Sequence, residues 1–524
     1  VPGTPVPGFL GAGRALGYAP PVSEPRPAAD LPHLFLVRLS GDVGTKARWT
    51  HGRFVKRLSG NLRDALESEG IPARVRRTRD RIFVHAASPA AAPVLARVFG
   101  VQSVSRAEHR PAAGVEDVVA AGEPLFRELV RGRRFAVRAR RVGDRARLPV
   151  GARDVERALG TALLPASAGV DLDHPEVTAS VELMADGAYF FTERLEAPAG
   201  LPVGVEGRAL ALVSGGFDSA VAAWYLLKRG VALHYLFCNL GGATHQMGTL
   251  RVAKVLADRW SYGTRPKLHA VDFDAVARHL RERCEPRYWQ VILKRLMLRA
   301  AERVADETRA EALVTGEALG QVSSQTLINL ATIDRAVEIP VLRPLLGFNK
   351  EEIVAAAGRI GTQDISATVA EYCAIVPRKP ATAATAAVAA AQEAHLDPAL
   401  LERAVAERAV FDLRALDVDK IGIPELETDT IPEDAIVLDL RSKAAYQSWH
   451  WPGALYLDFP HALATYPKLD KDRTYILYCE FGLKSAHLAE LMRAAGLRAW
   501  NFRGGLRGLV KYARERGVVG PEEV

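Results

Sequence analysis

Apolar and polar residues alternate through HLFLVRL at residues 33–39, and after a basic loop Phe54, Leu58, Leu62 and Leu66 recur at every fourth position. The first spacing predicts a half-buried strand and the second a helix with one apolar face. "ARVRRTRDRIFVHA", a helix to Gly100 and a further segment from "VQSVSRAEHR" to about Ala199 continue this texture, so residues 33–90 and 91–199 read as two small α+β units. Beyond them the texture changes. "RALALV", "GVALHYLFCNLGG", "KLHAVDFD" and "ALVTGEALG" are apolar runs separated by helical stretches, among them residues 244–260 and a long one through Met297. Strands alternating with helices at this spacing imply a doubly wound parallel sheet over residues 200–378. An alanine-rich stretch containing "HLDPALLERAVAERAVF" predicts a helical linker over 379–429, and a last α/β pattern occupies 430–520.

Composition narrows the class without choosing the function. At 524 residues the chain exceeds what one hydrophobic core usually organises, so about three to four domains are expected. Its formal net charge of +8 suits an anionic partner and equally a generally basic surface. Cys238, Cys284, Cys373 and Cys479 lie far apart with no CxxC pair, which argues against a zinc site or a secreted disulfide framework and for a reducing compartment. No apolar run reaches the roughly 18 residues of a membrane span. Residues 1–32, rich in Pro, Gly and Ala, lack a basic start and an apolar centre, so the expectation is a loosely ordered extension on a cytoplasmic protein.

Two loops carry chemistry. In "LVSGGFDSAVAAWYLLKRG", residues 212–230, an apolar strand runs into two glycines between hydroxyl residues, an aspartate and a helix. Glycines let a backbone approach an anion closely, and a helix start presents unpaired N–H donors at the positive end of its dipole. A P-loop would add a lysine that reaches the outer phosphates; its absence here suits a pyrophosphate that must leave. In "YCEFGLKS", Cys479 follows an apolar strand, with Gly482 in the loop and a helix from about Lys484. Loop amides and a helix dipole favour a thiolate there, the reactive form of a sulfur carrier, whereas an inert core cysteine at a strand end is the alternative.

SGGFDS resembles the signature of the PP-loop ATP pyrophosphatases, and "LDLRSKAAYQSWHWPGA" with the Cys479 loop resembles a rhodanese domain. Together with "FVKRLSGNLRDAL", "RFAVRARRVG", "DLDHPEVTASVELMADGAYFFTERLEAPAGLPVG", "TGEALGQVSSQTLINL", "LRPLLGFNKEEIV", "IGTQDIS" and "EYCAIVP", they make the chain resemble the tRNA 4-thiouridine synthetase family in its long form, over roughly residues 33–514. The resemblance implies an α/β multidomain fold: an N-terminal ferredoxin-like α+β domain (33–90), a THUMP domain (91–199), a PP-loop ATP pyrophosphatase domain with a doubly wound parallel sheet (200–378) and a C-terminal rhodanese-like α/β domain (430–520). It also implies adenylation of the C4 oxygen of uridine 8 in tRNA with ATP and Mg2+, followed by attack from a Cys479 persulfide that a cysteine desulfurase loads. Competing readings are a rhodanese sulfur carrier for thiamine thiazole formation and an RNA-binding scaffold with a relict nucleotide site.

Carried over position by position, the resemblance puts ATP contacts on Leu212, Val213, Ser214, Gly215, Gly216, Asp218 and Ser219. Phe237 and Cys238 fall where the adenine edge is read by backbone, and Lys294, Gly316 and Gln325 complete the site. Asp218 and Lys350 match positions needed for adenylation. Read from spacing alone, Lys294 would be a solvated helix charge, Gly316 a plain turn and Lys350 a surface residue. Cys373 matches a second cysteine that closes a disulfide with Cys479 after sulfur delivery, to be reopened by an external reductant. Cys238 and Cys284 are expected to be structural, and homodimers are common among members with this core. Glu480 and Phe481 depart from the small or basic residues more usual in the rhodanese loop.

On the RNA side, Arg131, Arg133, Arg134, Arg138, Arg140, Arg141, Arg145 and Arg147 crowd one segment, beside Lys46, Arg48, Arg53, Lys56 and Arg57. Such a stripe would neutralise several tRNA phosphates, a salt-dependent contact that fixes position and not sequence. Alternate arginines on a strand point to opposite faces, so they cannot all form one site.

Overall fold

The computed structural model describes residues 31–143, 150–369, 379–417 and 424–518. Cys373, Arg145 and Arg147 lie outside the described residues, as does the expected N-terminal extension up to residue 30.

Strand His33–Leu39 is buried on both faces because it runs through the middle of a sheet. Phe35 and Val37 meet the apolar stripe of helix Arg48–Ser68, while Leu36 meets Phe83 and Tyr189 on the other side. The sheet has nine strands, in the order Ala73–Arg77, Arg81–Ala86, His33–Leu39, Val101–Arg110, Gly187–Phe191, Val177–Met184, Arg134–Arg141 and Gly169–Val170, with Leu195–Glu196 on Val101–Arg110. Strand Val101–Arg110 is shared by the two N-terminal units: Ala107 faces Leu34, whereas Glu108 and Arg110 face Phe190 and Ala188. Buried Glu182 strengthens this junction, held by Arg38 at 2.7 Å and Arg81 at 2.8 Å.

The third unit is a six-stranded sheet, ordered Val341–Leu342, Leu313–Val314, Arg208–Leu212, Ala232–Asn239, Lys267–Asp272 and Ala409–Asp412. The first five are parallel, as the alternation with helices implied. Two expectations need correction. The long helix through Met297 is two, Asp274–Arg283 and Trp289–Thr308, because Pro286 between them has no N–H to continue the ladder. The helical linker over 379–429 is not a spacer: helices Ala386–Glu393 and Pro398–Ala406 pack on Trp289–Thr308, burying Ala389, Leu401 and Val405. Within the same stretch Ala409–Asp412 is a strand, antiparallel to Lys267–Asp272. An open sheet edge offers that backbone ready partners, and Val410 and Phe411 suit a pleated surface better than a helix.

The C-terminal unit is a five-stranded parallel sheet, ordered Glu427–Thr428, Arg498–Phe502, Thr474–Tyr478, Ile436–Asp439 and Leu455–Tyr456. Its helix Leu483–Ala494 packs on helix Gly242–Trp260 of the third unit. No helix among the described residues is long and apolar enough to cross a membrane.

Candidate active site

Strand Arg208–Leu212 delivers the chain to Gly215, whose φ of +77° turns it into helix Phe217–Lys228. A Cβ on Gly215 would lie 3.0 Å from Thr249 Oγ1 and 3.1 Å from Val369, so both the backbone angle and the space call for glycine. The Ser214 N–H donates to Ser219 Oγ at 3.2 Å, and that hydroxyl donates to the Gly216 carbonyl at 3.3 Å, which ties the loop across itself. His245 supports it from behind. Its Nε2–H donates to the Ser214 carbonyl at 3.0 Å, its ring stands edge-on to Phe237 at 4.7 Å, and burial lowers its pKa.

Gly316 is more than a plain turn. A Cβ there would come within 2.6 Å of both the Asp218 carbonyl carbon and the Ser219 nitrogen, so two backbones meet at this point. Leu212, Val213, Ser214, Asp218 and Ser219 line a cavity of about 260 Å³ together with Cys238, Lys294, Gly316 and Gln325, and Glu317 also lines it. Phe237, one residue before Cys238, points to the opposite face of the sheet and into the core. Gly215 and Gly216 shape the loop without lining the cavity. Burial pushes the Cys238 thiol well up, which makes it a wall of the cavity and not a nucleophile.

Charged groups gather at the mouth in pairs. Lys350, at the start of helix Lys350–Ile360, places Nζ 2.8 Å from Asp218 Oδ1, and Gln321 donates to Asp218 Oδ2 at 3.1 Å. Lys294 is no solvated helix charge, because its Nζ lies 2.6 Å from Glu317 Oε1. Arg343 holds Glu317 Oε2 at 2.7 Å and also grips Asp334. Burial works to raise the Glu317 pKa, but Lys294 and Arg343 together outweigh it and hold the carboxyl below its usual value. Sequence reasoning passed over Glu317, Gln321, Arg343 and His245. Among the described residues no cluster of three or more His, Cys, Asp or Glu forms a metal site.

The second loop is held by backbone. Cys479 directly follows strand Thr474–Tyr478 and is 1% exposed, with Ser485 Oγ 3.3 Å from its sulfur. Gly482 turns the loop at φ +73°, and Gly505, at φ +58°, fits against it so closely that a Cβ would sit 2.6 Å from Gly482 N and 2.7 Å from the Cys479 carbonyl oxygen. Leu506 N–H donates to that same carbonyl at 2.9 Å. Beneath lies a buried pair, Arg441 on Asp439 at 2.7 Å, to which Tyr478 donates its hydroxyl at 2.6 Å.

Models of four domains match along the chain: the ThiI ferredoxin-like domain at residues 34–105, the THUMP domain at 112–193, the thiamine biosynthesis protein (ThiI) at 204–397 and the rhodanese-like domain at 425–511. A tRNA sulfurtransferase of Pyrobaculum aerophilum is 38% identical over 465 residues, 88% of this chain and 95% of the relative. The chain belongs to the tRNA sulfurtransferase family. Another tRNA sulfurtransferase, from Edwardsiella ictaluri, is 35% identical over 88% of this chain and 98% of its own. Among solved structures, a 4-thiouridine synthetase–RNA complex with bound ATP is similar at a TM-score of 0.63 and 31% identity, covering 72% of this chain and 99% of that one. PH1313 from Pyrococcus horikoshii is similar at a TM-score of 0.51 and 25% identity, covering 63% and 99%. The α/β multidomain architecture of a tRNA sulfurtransferase, with ferredoxin-like, THUMP, PP-loop and rhodanese domains, is therefore present, as the sequence implied.

The arginines expected on the RNA side divide. Arg134, Arg138 and Arg140 are exposed on one face of strand Arg134–Arg141, and Lys46, Arg48 and Arg53 are exposed on the ferredoxin-like domain. Arg57 is engaged elsewhere, donating to the Val203 and Gly263 carbonyls at 2.8 and 2.9 Å and so tying the first unit to the third.

Proposed function

We propose that the chain thiolates tRNA, activating the C4 oxygen of uridine 8 with ATP and replacing that oxygen by sulfur carried on Cys479. One observation carries the reading: a glycine loop flanked by Asp218, Lys294 and Lys350 and a buried cysteine loop meet through the same helix, Gly242–Trp260. The names of the relatives and the RNA- and ATP-bound 4-thiouridine synthetase support it.

The cavity would take ATP with its phosphates at the amides of residues 214–219, where helix Phe217–Lys228 begins. Asp218 would hold magnesium jointly with those phosphates, as single-carboxylate sites do, and the ion when bound neutralises phosphate charge. Lys350, released from Asp218, then stabilises charge on the α-phosphorus while the uridine oxygen attacks it and pyrophosphate leaves. The terminal sulfur of a Cys479 persulfide attacks C4, and AMP departs with the oxygen. The Cys373 thiolate attacks the Cys479 sulfur; the S–S bond breaks with its electron pair going to the new 4-thio group, and a Cys373–Cys479 disulfide remains for an external dithiol to reduce. A cysteine desulfurase supplies the next persulfide.

A second reading follows from the description of the model matching residues 204–397, thiamine biosynthesis: the rhodanese domain would hand its sulfur to thiazole formation. That role needs Cys479 and not Asp218. The deciding experiment is single-turnover thiolation of unmodified tRNA with ATP, a cysteine desulfurase and cysteine, read as 4-thiouridine absorbance. Under the first reading Cys479→Ser and Asp218→Ala both lose product, and only Asp218→Ala loses pyrophosphate release. Wild type that accepts sulfur on Cys479 yet makes no 4-thiouridine moves the assignment to the sulfur carrier.

A further inference from the structure

Helix Gly242–Trp260 touches both reactive loops. On its ATP side His245 holds the Ser214 carbonyl at 3.0 Å, and Thr249 fills the space beside Gly215. On its rhodanese side Thr244 donates to Glu490, and Arg251 donates to the Phe481 carbonyl, two residues after Cys479. Leu483 and Ala486, just beyond Phe481, are buried in the same cluster as Met247 and Leu250. The rhodanese domain is thus latched by an apolar centre with a polar contact on either side, and the latch grips the cysteine loop itself. With Cys479 1% exposed, a protein donor cannot reach its sulfur in this arrangement.

Resting on the thiolation reading, we propose that Arg251 is a positioning residue for sulfur transfer. Bound to the Phe481 carbonyl, it holds the Cys479 loop on the helix that backs the ATP loop; released, it frees the rhodanese domain to be loaded. A guanidinium donating to a carbonyl is a charge-assisted bond, strong enough to bias a domain arrangement. A hydrogen bond of this kind is also weak enough to break once per cycle. Transfer needs the sulfur within near-attack distance of C4, so slack in the latch slows that step and leaves adenylation alone.

The test uses the full chain and separates the steps. In Arg251→Ala, pyrophosphate release on unmodified tRNA stays within about twofold of wild type, while 4-thiouridine formation from enzyme preloaded with persulfide falls about tenfold. Arg251→Lys keeps one donor and recovers part of the transfer rate. Thr244→Val, at the other polar contact, slows the same step less. Alkylation of Cys479 by N-ethylmaleimide, which needs no tRNA, quickens in Arg251→Ala. Wild-type transfer by Arg251→Ala overturns the proposal, and so does an unchanged alkylation rate. A parallel fall in pyrophosphate release also overturns it, by making Arg251 a support of the ATP loop. Failure of the thiolation reading is seen separately, as a wild type that makes no 4-thiouridine at all.

Discussion

The ATP loop and the cysteine loop use one local device, a strand running into a glycine turn and a helix, yet they keep their reactive groups by different means. Around residues 214–219 the groups are charged and already paired, Lys350 with Asp218 and Lys294 with Glu317. Around Cys479 the contacts are steric and neutral: Ser485 beside the sulfur, Gly505 against Gly482, and Leu506 on the Cys479 carbonyl. A self-neutralised site opens when a ligand exchanges one charge partner for another. A sterically fixed loop has no such exchange available, so it must travel as a unit, which is why the latch through Arg251 matters.

The largest effects should come from filling the two glycine contacts. Gly505→Ala places a methyl 2.6 Å from Gly482 N at a left-handed φ, so the cysteine loop has to shift. Persulfide loading should fall about a hundredfold while tRNA-dependent pyrophosphate release persists. Gly316→Ala drives a methyl against the backbone of Asp218 and Ser219 and should do the reverse. Radiolabelled sulfur on Cys479 and released pyrophosphate read the two halves separately; a variant that loses both halves together would break the separation drawn between the loops.

Comparable in size is Lys350→Met. Removing one donor to a developing phosphoryl charge typically lowers rate by about a hundredfold, so single-turnover adenylation should slow that much with ATP still bound. If ATP affinity collapses and the bound complex reacts normally, Lys350 is a ground-state contact and the exchange of partners at Asp218 is wrong. Glu317→Gln is smaller. It leaves Arg343 to Asp334 but frees Lys294, and KM for ATP should rise about fivefold, near 1 kcal/mol, with Cys479 loading untouched.

Much of this was legible in the sequence, and what was not has a common cause. The strand, glycine turn and helix of each loop are local, and their residues announce them at short range. Asp218 and Lys350 are 132 positions apart, so only the resemblance joined them before the fold did. Glu317, Gln321, Arg343, His245 and Arg251 are ordinary types on a helix and in loops, and nothing near them in sequence names their partners. The expected linker failed for the opposite reason: alanine-rich helix propensity was real at Ala386–Glu393 and Pro398–Ala406, but the open edge of Lys267–Asp272 claimed Ala409–Asp412. Arg57 looked like part of an RNA stripe until its carbonyl partners on the third unit appeared.

The smallest expected effect compares the two domains by acid stability. His234 and His269 lie on neighbouring strands of the PP-loop sheet, ring centroids 6.3 Å apart. Burial lowers both to about 4 from 6.5, helped by Arg208 and Lys267 at His234 and by Arg408, His234 and Lys267 at His269. Each accepts a hydrogen bond at Nδ1, from Lys267 N–H at 3.0 Å and Arg408 Nε at 3.2 Å, which a ring protonated there cannot do. Once unfolded, both titrate near their ordinary value. Between pH 6.5 and 4 the unfolded chain therefore binds protons that the folded chain refuses, and stability is full above that window and falls as pH drops through it. In the rhodanese domain His487 is also lowered by burial, but Glu490 opposes the shift. Calorimetry of the full chain at about pH 7.5 and about pH 5 should show the PP-loop transition moving down by several degrees more than the rhodanese transition. The double variant His234→Gln, His269→Gln should close that gap. If it does not, the two histidines are not the source of the gap; the paired carboxylate Glu317, whose depressed pKa predicts loss of stability only below its ordinary value of 4.5, cannot supply it at pH 5 either.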